Sequence, residues 1–258
     1  MKTKRVGWLL IFLSYVGVVL AQNLDDQERR WAISGSWGGN WPIVTKNTLS
    51  GKAVSAGHIH TLMLEYYIPY TRFSLKGGYT GEEIGLNPGI SASMSNLEIG
   101  GRYYFLPQRF AIQPYGGLST GWNLSPRRQE GMGSSSYYDP SRQEFRKDYD
   151  YRYRIKEPLF TVSPVVGADI YFLSCLALTL EYNFRMGIAG KISGEIEKTN
   201  SRGTGFVRSN GMRQTVSVGV KVNFPFTITQ TDGNSILQWL DAVSYTHLRA
   251  HETDSYLV

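Results

Sequence analysis

Polar and apolar side chains alternate strictly over residues 176–186. The even-numbered residues are apolar, whereas the odd-numbered ones are small, polar or charged and include Glu181 and Arg185. Because successive side chains of a β-strand point to opposite faces, this segment predicts a strand with one apolar and one charged face. The charged face would meet either bulk water or the inside of a barrel whose outside contacts lipid.

Seven other segments show the same period of two, and no convincing amphipathic helix competes with them. The eight predicted strands cover residues 31–41, 57–68, 72–80, 93–105, 109–124, 159–172, 175–188 and 213–226. Each is about as long as a tilted strand needs to cross the hydrocarbon layer, roughly 9 to 11 residues. Eight is also the smallest common number of strands for a closed transmembrane barrel. We therefore predict an all-β, eight-stranded antiparallel up-and-down transmembrane barrel.

The predicted connections alternate in length. Residues 69–71, 106–108 and 173–174 form tight turns, whereas residues 43–56, 81–92, 125–158 and 189–212 form long polar joins. Because consecutive antiparallel strands reverse direction, all the tight turns fall at one end of the barrel. Short periplasmic turns and long extracellular loops are typical of outer-membrane barrels.

Charged side chains collect on one parity of the predicted strands. An arginine or lysine facing lipid at midplane costs roughly 2 to 4 kcal/mol, which explains why the other parity lacks them. Side chains can fill the inside of an eight-stranded barrel, so we expect a packed network of paired charges, which argues against a general porin. The predicted lumen network is Glu65, Arg72, Lys76, Glu98, Arg102, Asp169, Glu181, Arg185 and Lys221.

The two ends of the chain call for separate interpretations. Lys2, Lys4 and Arg5 precede an apolar run that ends in small residues, so residues 1–21 predict a cleaved signal peptide. Residues 243–258 resemble a translated sequencing adaptor, and we exclude them from fold reasoning. The barrel is therefore expected over residues 22–226, followed by a tail of unknown role at 227–242.

The charge balance is modest. The net charge of the whole chain is +6. Removing the signal takes away three positive charges, and removing residues 243–258 takes away one positive and two negative charges, so the net charge of the remaining chain is +4. This value does not indicate nucleic-acid binding. The 17 tyrosines, 11 phenylalanines and 6 tryptophans are expected to form girdles at the membrane interfaces.

The chain resembles the small outer-membrane β-barrel family in four features. These are the signal, the eight strands, the alternating loop lengths and the aromatic-rich strand at 215–226. This family includes the OmpA-like and OmpX-like eight-stranded barrels, and the likeness is strongest to the barrels of Bacteroidota. The resemblance implies a place in the bacterial outer membrane, among its lipid and lipopolysaccharide, after delivery to the barrel insertion machinery. Because the residues show no catalytic motif, we expect a non-enzymatic, structural or surface-interaction role without cofactor or metal. Barrels of this family often end at an aromatic residue, and Phe224-Pro225-Phe226 resembles such an end. In this chain, however, residues 227–242 follow it.

The third long join is the candidate interaction surface. It is rich in tyrosine and arginine, which are favoured at binding surfaces for extracellular proteins or glycans. The alternation over residues 149–155 predicts a strand that protrudes beyond the bilayer, with an edge that could capture other proteins. The alternative is a solvated loop in contact with surface sugars. The candidate residues are Tyr137, Tyr138, Arg142, Tyr149, Tyr151, Arg152, Tyr153 and Arg154.

Two other functions stay open from the sequence. A secreted lipocalin-like barrel would place the apolar parity inside, around a small apolar ligand. A lipid A-modifying barrel enzyme would need a nucleophile with His and an acid. His58 and His60 lie near the outer end of the second predicted strand, but no His-x-Ser pattern follows and no acid partner is evident for a metal site.

Overall fold

The computed structural model describes residues 29–48, 54–86, 90–107, 110–198 and 204–225. The predicted signal peptide, the tail at 227–242 and the segment 243–258 lie outside the described residues. No helix with the length and apolarity needed to cross a membrane occurs in the described ranges.

The described residues form twelve β-strands. They are β1 (Trp31–Asn47), β2 (Val54–Ser55), β3 (Gly57–Tyr67), β4 (Phe73–Leu86), β5 (Ile90–Tyr104), β6 (Ile112–Asn123), β7 (Arg128–Asp139), β8 (Glu144–Lys156), β9 (Phe160–Leu173), β10 (Leu176–Ile188), β11 (Lys191–Lys198) and β12 (Thr204–Phe224).

Eight of these strands close into an antiparallel barrel in the order β1-β3-β4-β5-β6-β9-β10-β12. The first and last strands close it, because Trp31 on β1 lies opposite both Tyr66 on β3 and Phe224 on β12. The connections β3–β4, β5–β6 and β9–β10 are short and lie at one end. The prediction of an eight-stranded up-and-down barrel with tight turns at one end is therefore confirmed.

The outside of the barrel is apolar. Trp31 lies near the end with the short turns and Trp41 lies ten residues further along β1, about 33 Å of extended strand. A strand tilt of roughly 40° reduces that span to about 25 Å, the height of the apolar band of transmembrane barrels. Exposed apolar side chains between these levels include Ile33, Leu62, Leu64, Leu97, Ile99, Leu118, Val166, Leu180, Val216, Val218 and Val220.

Of the other four strands, β2 pairs only with the outer end of β4, whereas β7, β8 and β11, with the outer parts of β1 and β12, continue the wall beyond the barrel. Strand β7 pairs with β8, β8 with β11, β11 with the start of β12, and that part of β12 with the end of β1. We call this five-stranded sheet the cap sheet. Residues 125–158 and 189–212 were expected to be polar joins with one protruding strand over 149–155. That strand exists as β8, but the joins also contain β7, β11 and the start of β12, which were not predicted. Strand β7 consists of glycine, serine and polar side chains over much of its length, so it lacks the apolar parity that revealed the barrel strands.

A small apolar core joins the cap sheet to the β4–β5 hairpin. The hairpin contributes Ile84, Leu86 and Ile90, and the cap sheet contributes Ile155 from β8 and Val207 from β12. Because β4 lies across the barrel from β10, and β5 from β12, in the strand order, this contact spans the mouth of the barrel. The long connections therefore close that end with packed apolar side chains.

Candidate functional site: the charged lumen and the cap

The layer of the lumen nearest the short turns is centred on Lys221 of β12. Its Nζ lies 2.5 Å from Asp169 Oδ2 and 2.7 Å from Glu65 Oε2. Arg102 Nη1 contacts the same Glu65 oxygen at 2.9 Å. The Tyr104 hydroxyl contacts both carboxylates, at 2.7 Å from Glu65 and 3.1 Å from Asp169. Each of these buried charges therefore has an opposite charge within hydrogen-bonding distance.

The middle layer is centred on Glu181 of β10. Arg102 forms a short ion pair with Glu181 and thus links this layer to the one below. Lys76 Nζ lies 3.3 Å from Glu181 Oε1, and the Tyr115 hydroxyl donates to Oε2 at 2.9 Å. The Asn183 amide donates to Oε1 at 2.9 Å. Four elements of the wall thus converge on one carboxylate.

The upper layer contains two arginine–glutamate pairs. Arg185 Nη2 lies 2.7 Å from Glu98 Oε2, and Arg213 Nε lies 2.7 Å from Glu82 Oε2. Asn96 donates to the second carboxylate oxygen of Glu82 at 2.7 Å. The side chains of Arg213 and Glu82 are fully buried. Burial of ions is costly unless they are paired, so each pair depends on its partner.

The structure brings most of the predicted lumen residues together, but one prediction is wrong and two charges of the upper layer were missed. The prediction for Arg72 is wrong: it precedes β4, is exposed, and donates to the Phe105 carbonyl oxygen at 3.2 Å. Because Arg72 lies before the first residue of the strand, the strand parity does not apply to it. Sequence reasoning missed Arg213, which shares the parity of Lys221, and Glu82, which falls in a segment expected to be a loop. The residues placed in the lumen are Glu65, Lys76, Glu98, Arg102, Asp169, Glu181, Arg185 and Lys221.

Little space is left between these side chains. One cavity in the lumen, lined in part by Ser34, Lys76 and Glu181, has a volume of about 10 Å³. A cavity of this size holds about one water molecule. At this level of the lumen, the charged side chains therefore leave room for about one water molecule.

The candidate interaction residues do not share one surface. Tyr151 and Tyr153 face inward, pack against the apolar core, and lie over Gly133 and Gly131 of β7. Tyr138 and Arg142 are exposed at the β7–β8 turn, and Arg152 and Arg154 are exposed on the outward face of β8. The side chains of Tyr137 and Tyr149 lie outside the described residues. The predicted protruding strand exists as β8, but it is not an edge, because β7 and β11 pair with its two sides.

One of the two histidines, His58, has an acid neighbour that the sequence did not reveal. His58 Nδ1 lies 3.0 Å from Glu83 Oε2 on the outward face. The register places Ser93 opposite Glu83 on its other side, so the carboxylate lies between the hydroxyl and the imidazole. Nucleophile activation needs the imidazole in the middle. Over the described ranges, no group of three His, Cys, Asp or Glu side chains could hold a metal ion.

No family model matches the chain, and no curated protein matches it. The solved barrels that are similar to this chain include three at 11–12% sequence identity. Neisserial surface protein A is 12% identical, with 75% of this chain and 97% of that chain covered and a TM-score of 0.45. The outer membrane protein OprG from Pseudomonas aeruginosa is 11% identical, with 79% and 98% covered and a TM-score of 0.41. The N-terminal β-barrel domain of OprF from the same species is 11% identical, with 77% and 100% covered and a TM-score of 0.37.

Proposed function

We propose that this protein is a non-enzymatic outer-membrane barrel that does not conduct ions and presents its cap sheet for contacts at the cell surface. The observation that carries the proposal is the distribution of polarity. The outside of the barrel is apolar, the lumen is filled by paired charges, and packed apolar side chains lie over the mouth. Such a body fits a lipid bilayer and offers no continuous water path.

The lipocalin-like alternative requires the reverse arrangement. A secreted barrel of that type lines its cavity with apolar side chains and turns its charges to water. Here Lys221, Arg185 and Glu98 are buried inside, while Val218 and Ile99 are exposed outside. In the part of the barrel that the structure describes, charged side chains occupy the place where a ligand chamber would need apolar ones, which favours the membrane barrel.

Ion conduction through the barrel can be measured directly. The protein is folded into lipid vesicles, the vesicles are fused with a planar bilayer, and the current under an applied voltage is compared with that of a general porin as the positive control. We expect no steady single-channel steps from the protein, because Arg102, Lys76 and Glu181 close the lumen at its middle. Steady conductance that scales with the amount of inserted protein would contradict the proposal.

The part of the cap best suited to surface contacts is the distal β7–β8 hairpin. Phe145 and Met132 are 76% and 75% exposed, and Tyr138 is 51% exposed. Tyr138 and Phe145 stack edge to face with their ring centroids 5.3 Å apart. Rigid aromatic side chains beside charge are typical of interaction hot spots. The neighbouring outward groove, about 660 Å³ in volume, is lined in part by Glu130, Met132, Arg152, Arg154, Glu195 and Phe206.

A double substitution tests this surface. Tyr138→Ser with Phe145→Ser is expected to lower attachment of cells displaying the protein to extracellular proteins or glycans by about tenfold or more, because it removes both exposed rings and hot-spot side chains contribute about 2 kcal/mol or more. The matched control is Tyr70→Ser with Phe105→Ser, which removes two exposed rings at the opposite end. Surface display is quantified by antibody against an external tag. Equal attachment by all three proteins would dismiss the hairpin as a contact site.

A further inference from the structure

Three cations lie side by side on the outward face of the cap sheet. Arg128 of β7 is opposite Lys156 of β8, and Lys156 is opposite Lys191 of β11. All three are exposed. Like charges directly opposite each other on neighbouring strands destabilise a sheet. We call Arg128, Lys156 and Lys191 the basic row.

Within the described part of the chain, the positive charges of the basic row are not neutralised by neighbouring carboxylates. Among the side chains that the structure describes, no carboxylate pairs with any of the three, whereas Arg154 in the next row outward contacts Glu130 at 2.7 Å. The residue beside Lys191 on β12 is the neutral Asn210, whose amide oxygen accepts a hydrogen bond from Thr45. Three adjacent unpaired cations therefore form a surface that favours an external anion.

The position of the row identifies the kind of anion. The strand register places Trp122, Phe160 and Ile188 side by side at the outer ends of β6, β9 and β10, and these three strands connect to β7, β8 and β11, which carry the row. All three apolar side chains are exposed, so they form the outer margin of the lipid-facing belt below the row. Phe160 follows Lys156 by four residues, about 13 Å of strand before tilt is taken into account. Flexible lysine and arginine side chains can bend toward the membrane, which reduces the distance between their charges and the apolar belt. The row thus lies at the level where acyl chains give way to phosphorylated headgroups.

We propose that the basic row binds the phosphate groups of a phosphorylated glycolipid in the outer leaflet while the acyl chains contact Trp122 and Phe160. This inference rests on the proposed outer-membrane location with the cap outside. Arg128 supplies a planar guanidinium fork for two phosphate oxygens, and the two lysines supply point charges that adapt to the second phosphate. A soluble polyanion would not need cations set directly above an apolar belt.

The test uses the full protein folded in an uncharged detergent. Bisphosphorylated lipid A is added in mixed micelles, and binding is measured by the quenching of tryptophan fluorescence, with the same lipid after enzymatic dephosphorylation as the second probe. We expect saturable binding of the phosphorylated lipid only. Because each cation near such a surface contributes about fivefold in affinity, the triple variant Arg128→Gln, Lys156→Gln and Lys191→Gln should bind roughly a hundredfold more weakly.

A charge-matched triple keeps the test specific. The control variant removes three exposed cations that lie higher on the cap, by Lys46→Gln, Arg142→Gln and Arg152→Gln. It should leave the affinity for the lipid within about threefold of the wild type. Equal losses in both triples would overturn the site in favour of a general charge effect. Equal binding of an acidic polysaccharide without lipid would also overturn it, since the anion would then be soluble. Gel mobility that shifts on heating in all variants separates these outcomes from failure of the barrel itself.

Discussion

Replacing Arg213 with methionine is expected to destabilise the barrel by about 3 to 5 kcal/mol, because it leaves the Glu82 carboxylate buried without its closest counter-ion. Both side chains of the pair are 0% exposed. The remaining cation near Glu82, Arg185, has its Nη1 at 3.9 Å and is already paired with Glu98. The measurement is the free energy of unfolding in urea, followed by tryptophan fluorescence of the protein in lipid vesicles.

The same substitution at an exposed ion pair supplies the control. Arg154 and Glu130 are 62% and 50% exposed, and exposed pairs contribute about 0 to 1 kcal/mol. Arg154→Met should therefore cost under about 1 kcal/mol. The double variant Arg213→Met with Glu82→Leu should recover much of the loss, since no unpaired charge remains. If Arg213→Met and Arg154→Met cost the same, the lumen is wet enough to solvate a free carboxylate, and the packed network is incorrect.

Placing arginine at Val218 is expected to cost about 2 to 4 kcal/mol when the protein is folded in lipid. Val218 lies on the outward parity of β12, opposite Trp37 on β1 and Leu180 on β10. All three are exposed on the barrel wall. A guanidinium there would have to leave water and enter hydrocarbon. The measurement is again the urea unfolding free energy in vesicles of fixed composition.

The control for Val218→Arg is Met132→Arg on the cap. Met132 is also exposed but lies on β7, beyond the apolar belt. Arginine there should change the unfolding free energy by under about 0.5 kcal/mol, as is usual for an exposed position. A soluble barrel would tolerate both substitutions alike. Equal small effects would therefore support the lipocalin-like interpretation, and a penalty at Val218 alone would support the membrane barrel.

The barrel strands could be predicted from the sequence because contact with lipid restricts the side chains on one face of each strand. A strand with hydrocarbon on one face must exclude charge from that parity, and the segment around Glu181 and Arg185 obeys the rule throughout. The same rule identified Lys76 and Lys221 as lumen residues. It would also have found Arg213, which shares the parity of Lys221 but was left out.

The cap could not be read in the same way. Strand β7 carries Gly131, Gly133 and a run of serines, and both faces of it lack a continuous apolar set. Its strand character comes from pairing with β8, and Tyr151 and Tyr153 become interior residues only because the β4–β5 hairpin packs against them. Such contacts join segments far apart in the chain. Single-sequence periodicity carries no information on them, so tyrosines that looked like a contact surface proved to be packing residues.

The pairing of β1 with β12 has a consequence for assembly. These are the first and last strands of the described barrel, and their ladder runs from Trp31 and Phe224 at one end to Asn47 and Val207 in the cap. Until β12 has been delivered, β1 presents an unpaired edge, and exposed edges invite pairing with other chains. Closing the ring joins segments about 180 residues apart, which places the least local contact of the molecule last. We therefore expect the β1–β12 seam to form last, and β1 has to stay unpaired with other chains until β12 of the same molecule reaches it.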